Sequence, residues 1–358
     1  MPAPGSYRSG GSIINHLSLI SLRTLMGSKI NNETVIRLFR ERQGFLSGEE
    51  VARELGVTRA AVWKKITALK RNGYVFETSA ARGYRLVRSP DLSVEDLRNA
   101  LSGRERVIGR EVLFYSAADS TNTLAAELAG AGAAEGTVVI ADSQTGGRGR
   151  RGRTWLSPPG KNLYMSVIVR PALSPRDATL LTLMTAVAAT AAMRTRTHLP
   201  VSIKWPNDLM VRGKKLGGIL TEIKADMDRI FHAVIGIGIN INLEHDDMPD
   251  DIKDTATSVS IEAGAPRMRT PFAVELLEEL DRWYGLLVRE GRGPITAAWR
   301  RMSSTIGRAV RVVLNDEVLT GIAEDIDEEG MLLVREDTGG EAPPALRKIS
   351  AGDITILR

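Results

Sequence analysis

The densest run of chemistry-bearing residues is Gly146-Gly147-Arg148-Gly149-Arg150-Arg151-Gly152-Arg153-Thr154-Trp155, where four arginines alternate with four glycines. Glycine lets the backbone approach an anion closely and adopt angles other residues avoid. Arginine supplies a planar fork of donors for phosphate or carboxylate. Trp155 offers a flat face to a purine ring. An RG-rich disordered segment that binds nucleic acid non-specifically is the alternative. Apolar strand patterns bracket the run at Val138–Ala141 and Leu163–Val169, which favours a structured anion-binding loop that orders over a ligand.

A second constellation is Lys204-Trp205-Pro206-Asn207-Asp208, followed by Lys214-Lys215-Leu216-Gly217-Gly218-Ile219-Leu220. Lys204 and Asp208 straddle a Trp-Pro turn. Lys215 precedes a glycine pair that opens an apolar strand, so it can point into a pocket and neutralise an anion. A lone surface lysine is ordinarily just solvated; the neighbouring motif favours the pocket. In Asp119-Ser120-Thr121-Asn122, three small polar groups follow an aspartate where a helix starts. An N-cap accounts for one of them on structural grounds alone, and together they can bind polar ligand atoms. Gly236-Ile237-Gly238-Ile239-Asn240 is weaker. It lacks the G-x-G-x-x-G spacing and its setting, so no dinucleotide site follows from it.

The elements that must hold these residues fall into groups along the chain. Residues 1–30 contain no acid and little periodicity and read as a disordered tail, with Met26 an alternative start of translation. Residues 31–89 read as a winged helix-turn-helix. Val35, Ile36, Leu38 and Phe39 make one helix amphipathic. Ser47 with Glu50 forms a capping box, Gly56 breaks the chain, Thr58 caps a third helix and Gly73 stops it. Two short strands, Tyr74–Thr78 and Gly83–Val87, follow as the wing. Between Glu33 and Arg88 there are 12 basic and 6 acidic residues, so this segment's +6 exceeds the +5 of the whole chain. A solvated basic face on a protein-interaction domain is the bland reading. Charge, helix spacing and wing together favour DNA, with Thr58, Arg59, Lys64 and Lys65 placed to reach it.

Ser89-Pro90-Asp91 reads as a linker. A large domain is expected over residues 92–300, with strands near Val112–Tyr115, Thr137–Asp142, Leu163–Val169, Ile203, Gly218–Ile223 and Ala233–Ile241. Helices are expected at Thr121–Ala131, Asp177–Thr197 and Thr270–Glu290. The order is no regular βαβ alternation, so the class is α+β with a mixed sheet. Residues 306–358 read as short strands split by turns, a small β-barrel or sandwich.

Composition narrows the chemistry. With 43% hydrophobic and 25% charged residues, wholesale disorder is excluded. The absence of cysteine excludes thiolate catalysis, iron–sulfur clusters and disulfides. His16, His198, His232 and His245 have no ligand spacing, so no protein-built metal site is expected. The most apolar stretch, Ala178 to Met193, is interrupted by threonines and shorter than a span, so it reads as a buried helix. No membrane association is expected, and a cytoplasmic location follows as the default.

These segments together resemble the bifunctional biotin–protein ligase and biotin operon repressor family. The carrying residues are Asp119 to Asn122, Gln144, Gly147 to Trp155, Gly160-Lys161-Asn162-Leu163-Tyr164, Lys204 to Asp208, Lys215 to Leu220, Gly236 to Asn240 and the winged helix at 33–88. The likeness covers nearly all of the chain after residue 30. It is loose in the C-terminal strands, where no single residue is carried over, and the N-terminal extension departs from it.

The resemblance implies a biotin/lipoate-ligase-like central domain and an SH3-like C-terminal barrel. It implies ATP and biotin as ligands, Mg2+ on the phosphates, and two half-reactions: formation of biotinyl-5′-AMP, then transfer to a lysine of a biotin carboxyl carrier protein. It assigns biotin contacts to Ser120, Thr121, Asn122, Gln144, Arg148, Gly149, Arg150 and Lys215. It places Trp155 at the adenine, with Gly147, Arg151, Arg153, Lys204, Asn207, Gly236 and Asn240 around the adenylate. Arg150 and Lys215 are the catalytic cations, and Asp208 is the candidate to engage the carrier lysine. Operator DNA and an adenylate-promoted homodimer complete the expectation. Two alternatives stay open: a lipoate or other acyl ligase of the same fold, and a ligand-sensing transcription factor without ligase chemistry.

Overall fold

The structure is a computed structural model that describes residues 32–314, 317–337, 345–350 and 352–357. The tail expected over residues 1–30, with Met26, lies outside the described residues. The chain divides into two compact units, Met1–Pro90 and Asp91–Arg358, each with its own apolar core.

In the first unit, α1 (Asn32–Arg42) buries Val35, Ile36, Leu38 and Phe39, as its spacing predicts. Helix α2 (Gly48–Leu55) starts on the Ser47–Glu50 capping box and ends on Gly56 in the left-handed conformation. Thr58 caps α3 (Arg59–Arg71), which buries Val62, Ile66 and Leu69. The wing is the antiparallel pair β1 (Val75–Ser79) and β2 (Gly83–Arg88). It is stitched to the helices by reciprocal Leu46–Tyr84 backbone bonds of 2.8 Å. Gly83 makes that approach possible, since a Cβ there would lie 2.2 Å from the Leu46 carbonyl oxygen.

The second unit opens with α4 (Val94–Leu101), capped by Ser93 and absent from the sequence expectation. Its main sheet has the order β3-β4-β5-β9-β8-β7-β6. The strands are β3 (Val112–Tyr115), β4 (Val138–Ala141), β5 (Leu163–Val169), β6 (Val201–Lys204), β7 (Asp208–Val211), β8 (Lys214–Ala225) and β9 (Ile230–Ile239). Only β3 and β4 are parallel, so the sheet is mixed. Helix α5 (Thr121–Gly130) packs on one face against Val139, Ile168 and Val234. Their neighbours Val138, Val167 and Ala233 belong to the larger core on the other face. Strands buried on both faces read as unbroken apolar runs, which is why β4 and β5 stand out in the sequence.

That larger core is filled by α6 (Thr179–Thr197), buried along most of its length. This apolar helix meets the length and hydropathy of a membrane span, yet it is packed within the unit. It lies against β6 to β9 and against α7 (Arg269–Glu290) and α8 (Arg292–Met302). Helix α8 has no counterpart in the sequence expectation; Gly293 and Pro294 lie in its first turn, where proline is tolerated. Strand β7 was also missed, its four residues following directly on the Trp-Pro turn. Asp91, read as linker, is fixed: buried Arg269 donates to its carboxylate and to Asp142 (2.8 Å) and the Asn162 carbonyl (3.0 Å).

The C-terminal strands β10 (Ala309–Leu314), β11 (Glu317–Ile326), β12 (Leu332–Glu336), β13 (Leu346–Ile349) and β14 (Asp353–Ile356) form an antiparallel sheet ordered β13-β12-β11-β10-β14. Among the described residues its outer strands do not pair with each other. Its inner face joins the main core through residues such as Val310, Leu332 and Val334. The fully buried Trp205 indole donates to the Gly330 carbonyl at 3.0 Å, and the Trp205 amide donates to Thr305 Oγ1 at 3.0 Å. The tryptophan of the Lys-Trp-Pro turn thus joins the two sheets.

Candidate functional site

A cleft of about 980 Å³ opens in the second unit. Of the residues assigned to biotin, the adenylate or catalysis, all but Gly147 and Arg151 line its wall. One end is polar and is built on the start of α5. Ser120 holds the N-cap position, but its side chain caps nothing. The helix-start donor is satisfied from elsewhere: Gln144 Oε1 accepts from the Thr121 amide at 2.9 Å and from its hydroxyl at 3.2 Å. Asn122 Nδ2 donates to Glu222 (2.7 Å) and to the Leu220 carbonyl (3.2 Å). The Ser166 hydroxyl donates to Asn122 Oδ1 at 2.6 Å and sits 2.8 Å from Thr121 Oγ1. A Cβ on Gly236 would lie 2.1 Å from Asn122 Oδ1. Gly236 therefore clears room for the Asn122 side chain beside this polar end.

The arginine–glycine loop closes on itself. The Trp155 amide donates to the Gly147 carbonyl at 2.8 Å and the Gly149 amide to the Arg153 carbonyl at 2.7 Å. Gln144 Nε2 donates to Ser157 Oγ (2.9 Å), whose hydroxyl donates to the Trp155 carbonyl (2.9 Å). Gly147 sits inside this knot: a Cβ there would lie 2.5 Å from the Trp155 carbonyl oxygen. Its role is to shape the loop. The Trp155 ring lies on the sheet, where a Cβ on Gly238 would come within 2.5 Å of its Nε1. That N–H is buried and has no acceptor in the described structure.

The cations expected at the ligand rest on partners. Arg148 donates to Glu222 at 3.0 Å. Arg150 donates to Asn207 Oδ1 at 3.1 Å. Burial is the largest influence on Arg150 and pulls its pKa down, opposed by Asp353 and Asp208. Lys204 and Asp208 are register partners across the cis Trp205–Pro206 turn. Asp208 pairs with Lys215 at 2.6 Å and with Lys204 at 3.5 Å. Lys215 Nζ also stands 5.5 Å from the centre of the Trp155 ring. The Lys215 amide donates to the Thr255 carbonyl (2.7 Å), and its carbonyl accepts from the Thr257 amide (2.9 Å).

Three expected adenylate residues are engaged within the protein. Asn240 donates to the Thr257 carbonyl (3.0 Å) and accepts from Asn162 (3.3 Å). Arg151 (3.6 Å) and Arg153 both pair with Asp353 on β14. Asp353, Glu222, Ser157 and Ser166 were not anticipated. Ser166 carried a signal, being the one polar residue in the buried run Leu163–Val169. The other three carried none.

The basic face of the first unit is also more selective than its charge suggested. The Thr58 hydroxyl serves as the cap, accepting from the Ala61 amide at 3.2 Å. The Arg59 stem lies over Gly48, where a Cβ would be 3.4 Å from Arg59 Cγ. Lys65 is half-buried and donates to Asn32 at 3.3 Å. Lys64 remains exposed, and beside it Trp63, not anticipated, is 58% exposed.

Comparison with known proteins follows these divisions. Residues 31–85 match the HTH domain family, residues 113–240 the Biotin/lipoate A/B protein ligase family, and residues 305–357 the Biotin protein ligase C terminal domain. The chain is 37% identical to the Bifunctional ligase/repressor BirA of Bacillus subtilis (strain 168), over 90% of its own length and 97% of the relative's. It is 33% identical to the protein of the same name from Escherichia coli (strain K12), over 82% and 89%. Among solved structures, biotin protein ligase from Aquifex aeolicus in complex with biotin and ATP superposes with a TM-score of 0.58 at 27% identity, covering 70% of this chain and 99% of that one.

Proposed function

The chain belongs to the family of bifunctional biotin–protein ligase/repressors, and from that premise we propose how its own residues carry the two activities. The protein activates biotin with ATP, attaches it to protein, and binds DNA as a repressor. The cleft supports a division of labour for the first activity. The polar end, from Ser120 to Asn122 with Gln144, receives the biotin head. Arg148, Arg150 and Lys215 draw the biotin carboxylate and the α-phosphate of ATP together, although both are anions. A carboxylate oxygen attacks the α-phosphorus, the bond to pyrophosphate breaks, and biotinyl-5′-AMP remains. The unsatisfied indole N–H of Trp155 gives the nucleotide end a donor in need of an acceptor.

In the second step a lysine amine of a biotin carboxyl carrier protein attacks the acyl carbon. The C–N bond forms, AMP leaves, and the amine loses a proton. Asp208 holds Lys215 toward the reacting end and is the acidic group offered to the incoming lysine. Mg2+ supplies charge neutralisation on the ATP phosphates and arrives with them; among the described residues no cluster of three or more acids or histidines is arranged for a metal. The 146–155 loop covers a water-sensitive anhydride. A cytoplasmic location, where ATP, carrier and DNA meet, completes this reading.

The observation that carries it is the convergence on one cleft of three cations from two separate segments, each seated on its own partner. Incubation with ATP and a carrier domain, with biotin in one arm and lipoate in the other, tests it. Transfer of biotin alone is expected; lipoyl transfer or no transfer overturns it.

For repression, one winged helix presents one small face, whereas operators usually hold two half-sites related by two-fold symmetry. We propose a homodimer through the sheet of the second unit, promoted when adenylate orders loops that include 146–155. Carrier protein competes for that surface. Sedimentation with and without biotin plus ATP should show ligand-dependent dimerisation; a monomer under both conditions overturns the dimer.

A further inference from the structure

We propose that Trp63 is the residue through which the winged helix reads sequence, by laying its indole against the C5-methyl group of a thymine in the major groove. This rests on the DNA-binding reading of the first unit and adds to it the base that is recognised. Helix α3 carries no acidic residue, and its exposed side presents Arg59, Ala60, Trp63, Lys64, Lys70 and Arg71. The recognition helix of a helix-turn-helix contacts base edges mainly through its first turns. The obvious readers in those turns are otherwise engaged. The Thr58 hydroxyl accepts from the Ala61 amide at 3.2 Å. The Arg59 stem folds over Gly48 at the start of α2, toward the helix that crosses the phosphate backbone in this motif. Lys65 turns back to Asn32 Oδ1 at 3.3 Å. Farther along, Lys70 is tied to the wing through Thr78 Oγ1 at 3.1 Å.

Trp63 and Lys64 are what remains at the centre of the face. A tryptophan left 58% exposed there keeps a large apolar surface in water. Nothing in the fold of α3 asks for it, since Val62, Ile66 and Leu69 fill the core side. The surrounding charge names the occupant. Phosphates are drawn by Arg59, Lys64 and Arg71, and the apolar group a major groove offers is the thymine methyl. The indole N–H leaves a second handle for an acceptor on the neighbouring base edge.

The test uses full-length protein with biotin and ATP. Duplexes are first selected from a random pool, and the preferred site is then bound by wild type, Trp63→Ala and Trp63→Phe. Each thymine is also replaced singly by deoxyuridine, which removes the methyl group and keeps the base pair. Trp63→Ala should weaken the selected site about tenfold, while its affinity for random duplex and its salt dependence stay unchanged. Trp63→Phe should fall between. One deoxyuridine position should cost wild type about fourfold, the worth of one buried methyl group, and cost Trp63→Ala nothing. Selected-site binding by Trp63→Ala equal to wild type, or a full deoxyuridine penalty in that variant, would overturn the proposal. If wild type shows no salt-dependent duplex binding at all, the DNA reading itself fails and Trp63 falls with it, an outcome distinct from loss of selectivity alone.

Discussion

On α3 the cations share their helix with no acidic residue, and Lys65 and Lys70 rest on the neutral oxygens of Asn32 and Thr78, whereas in the cleft Arg148 and Lys215 rest on the carboxylates of Glu222 and Asp208 and Arg150 on Asn207. The two arrangements suit different partners. Surface charges without carboxylate partners act together on a phosphate backbone through release of its counterions, so they are salt-sensitive and individually replaceable. Seated charges are already oriented when the ligand arrives, which lowers the reorganisation needed as charge develops. Removing one of them also strands its partner. The glycines divide the same way. Gly56 has positive φ, no close neighbour, and shapes a turn, while Gly147, Gly236 and Gly238 clear room for a neighbouring side chain or carbonyl.

The contrast is broken most completely by separating the units. Each has its own core, and Asp91, which anchors Arg269, belongs to the second. Removing residues 1–90 should abolish operator binding and leave most adenylate formation intact. Electrophoretic shift and pyrophosphate release measure the two. Loss of adenylation in a folded truncation would show that the cleft depends on the winged helix.

Lys215→Ala comes next in size. It removes a cation facing the cleft and frees one oxygen of Asp208, which keeps only Lys204 at 3.5 Å. A charged hydrogen bond of this kind is worth about 1.5–3 kcal/mol, hence roughly a ten- to hundredfold loss in adenylate formation, nearer the lower figure for a side chain 35% exposed. Adenylation at the normal rate would remove Lys215 from the chemistry.

Arg150→Gly should act on retention. The residue lies in a loop, so the fold survives, but its bond to Asn207 and its hold on the adenylate are lost. Adenylate should leave roughly tenfold faster and biotinylate bystander lysines. Tight retention with unchanged acceptor selectivity would contradict the assignment.

What the sequence made legible follows the reach of the interactions. The Ser47–Glu50 box, the Gly56 stop and the Thr58 cap operate within a few residues, so residue type and spacing suffice. In the cleft, residue types pointed to a loop and lysines that line one cavity, but their partners lie far along the chain. Asn122 meets Glu222 across 100 residues, and Arg153 meets Asp353 across 200. No local pattern marks such a pair. Gly236 and Gly238 were visible as a motif without a purpose, because the side chains they make room for, Asn122 and Trp155, lie far along the chain.

The smallest expected effect is also the one that decides what Arg151 and Arg153 are for. The sequence reading put both at the adenylate, whereas in the structure both pair with Asp353, a residue of the last strand. If phosphate binding is their task, Asp353 competes with ATP, and Asp353→Asn lowers the KM for ATP. If Asp353 is a latch, its loss leaves the loop less ordered, and ordering it on ATP raises KM. We expect the latch. Arg151 has positive φ, an uncommon backbone state for a non-glycine residue, and its side chain pairs with Asp353, so losing that pair favours a less ordered loop. These groups are about a third or more exposed, so the pair is worth at most about 1 kcal/mol. The rise in KM is then about two- to fivefold, with kcat and melting temperature nearly unchanged. Initial-rate kinetics over an ATP series measure it, and a fall in KM would return both arginines to the nucleotide.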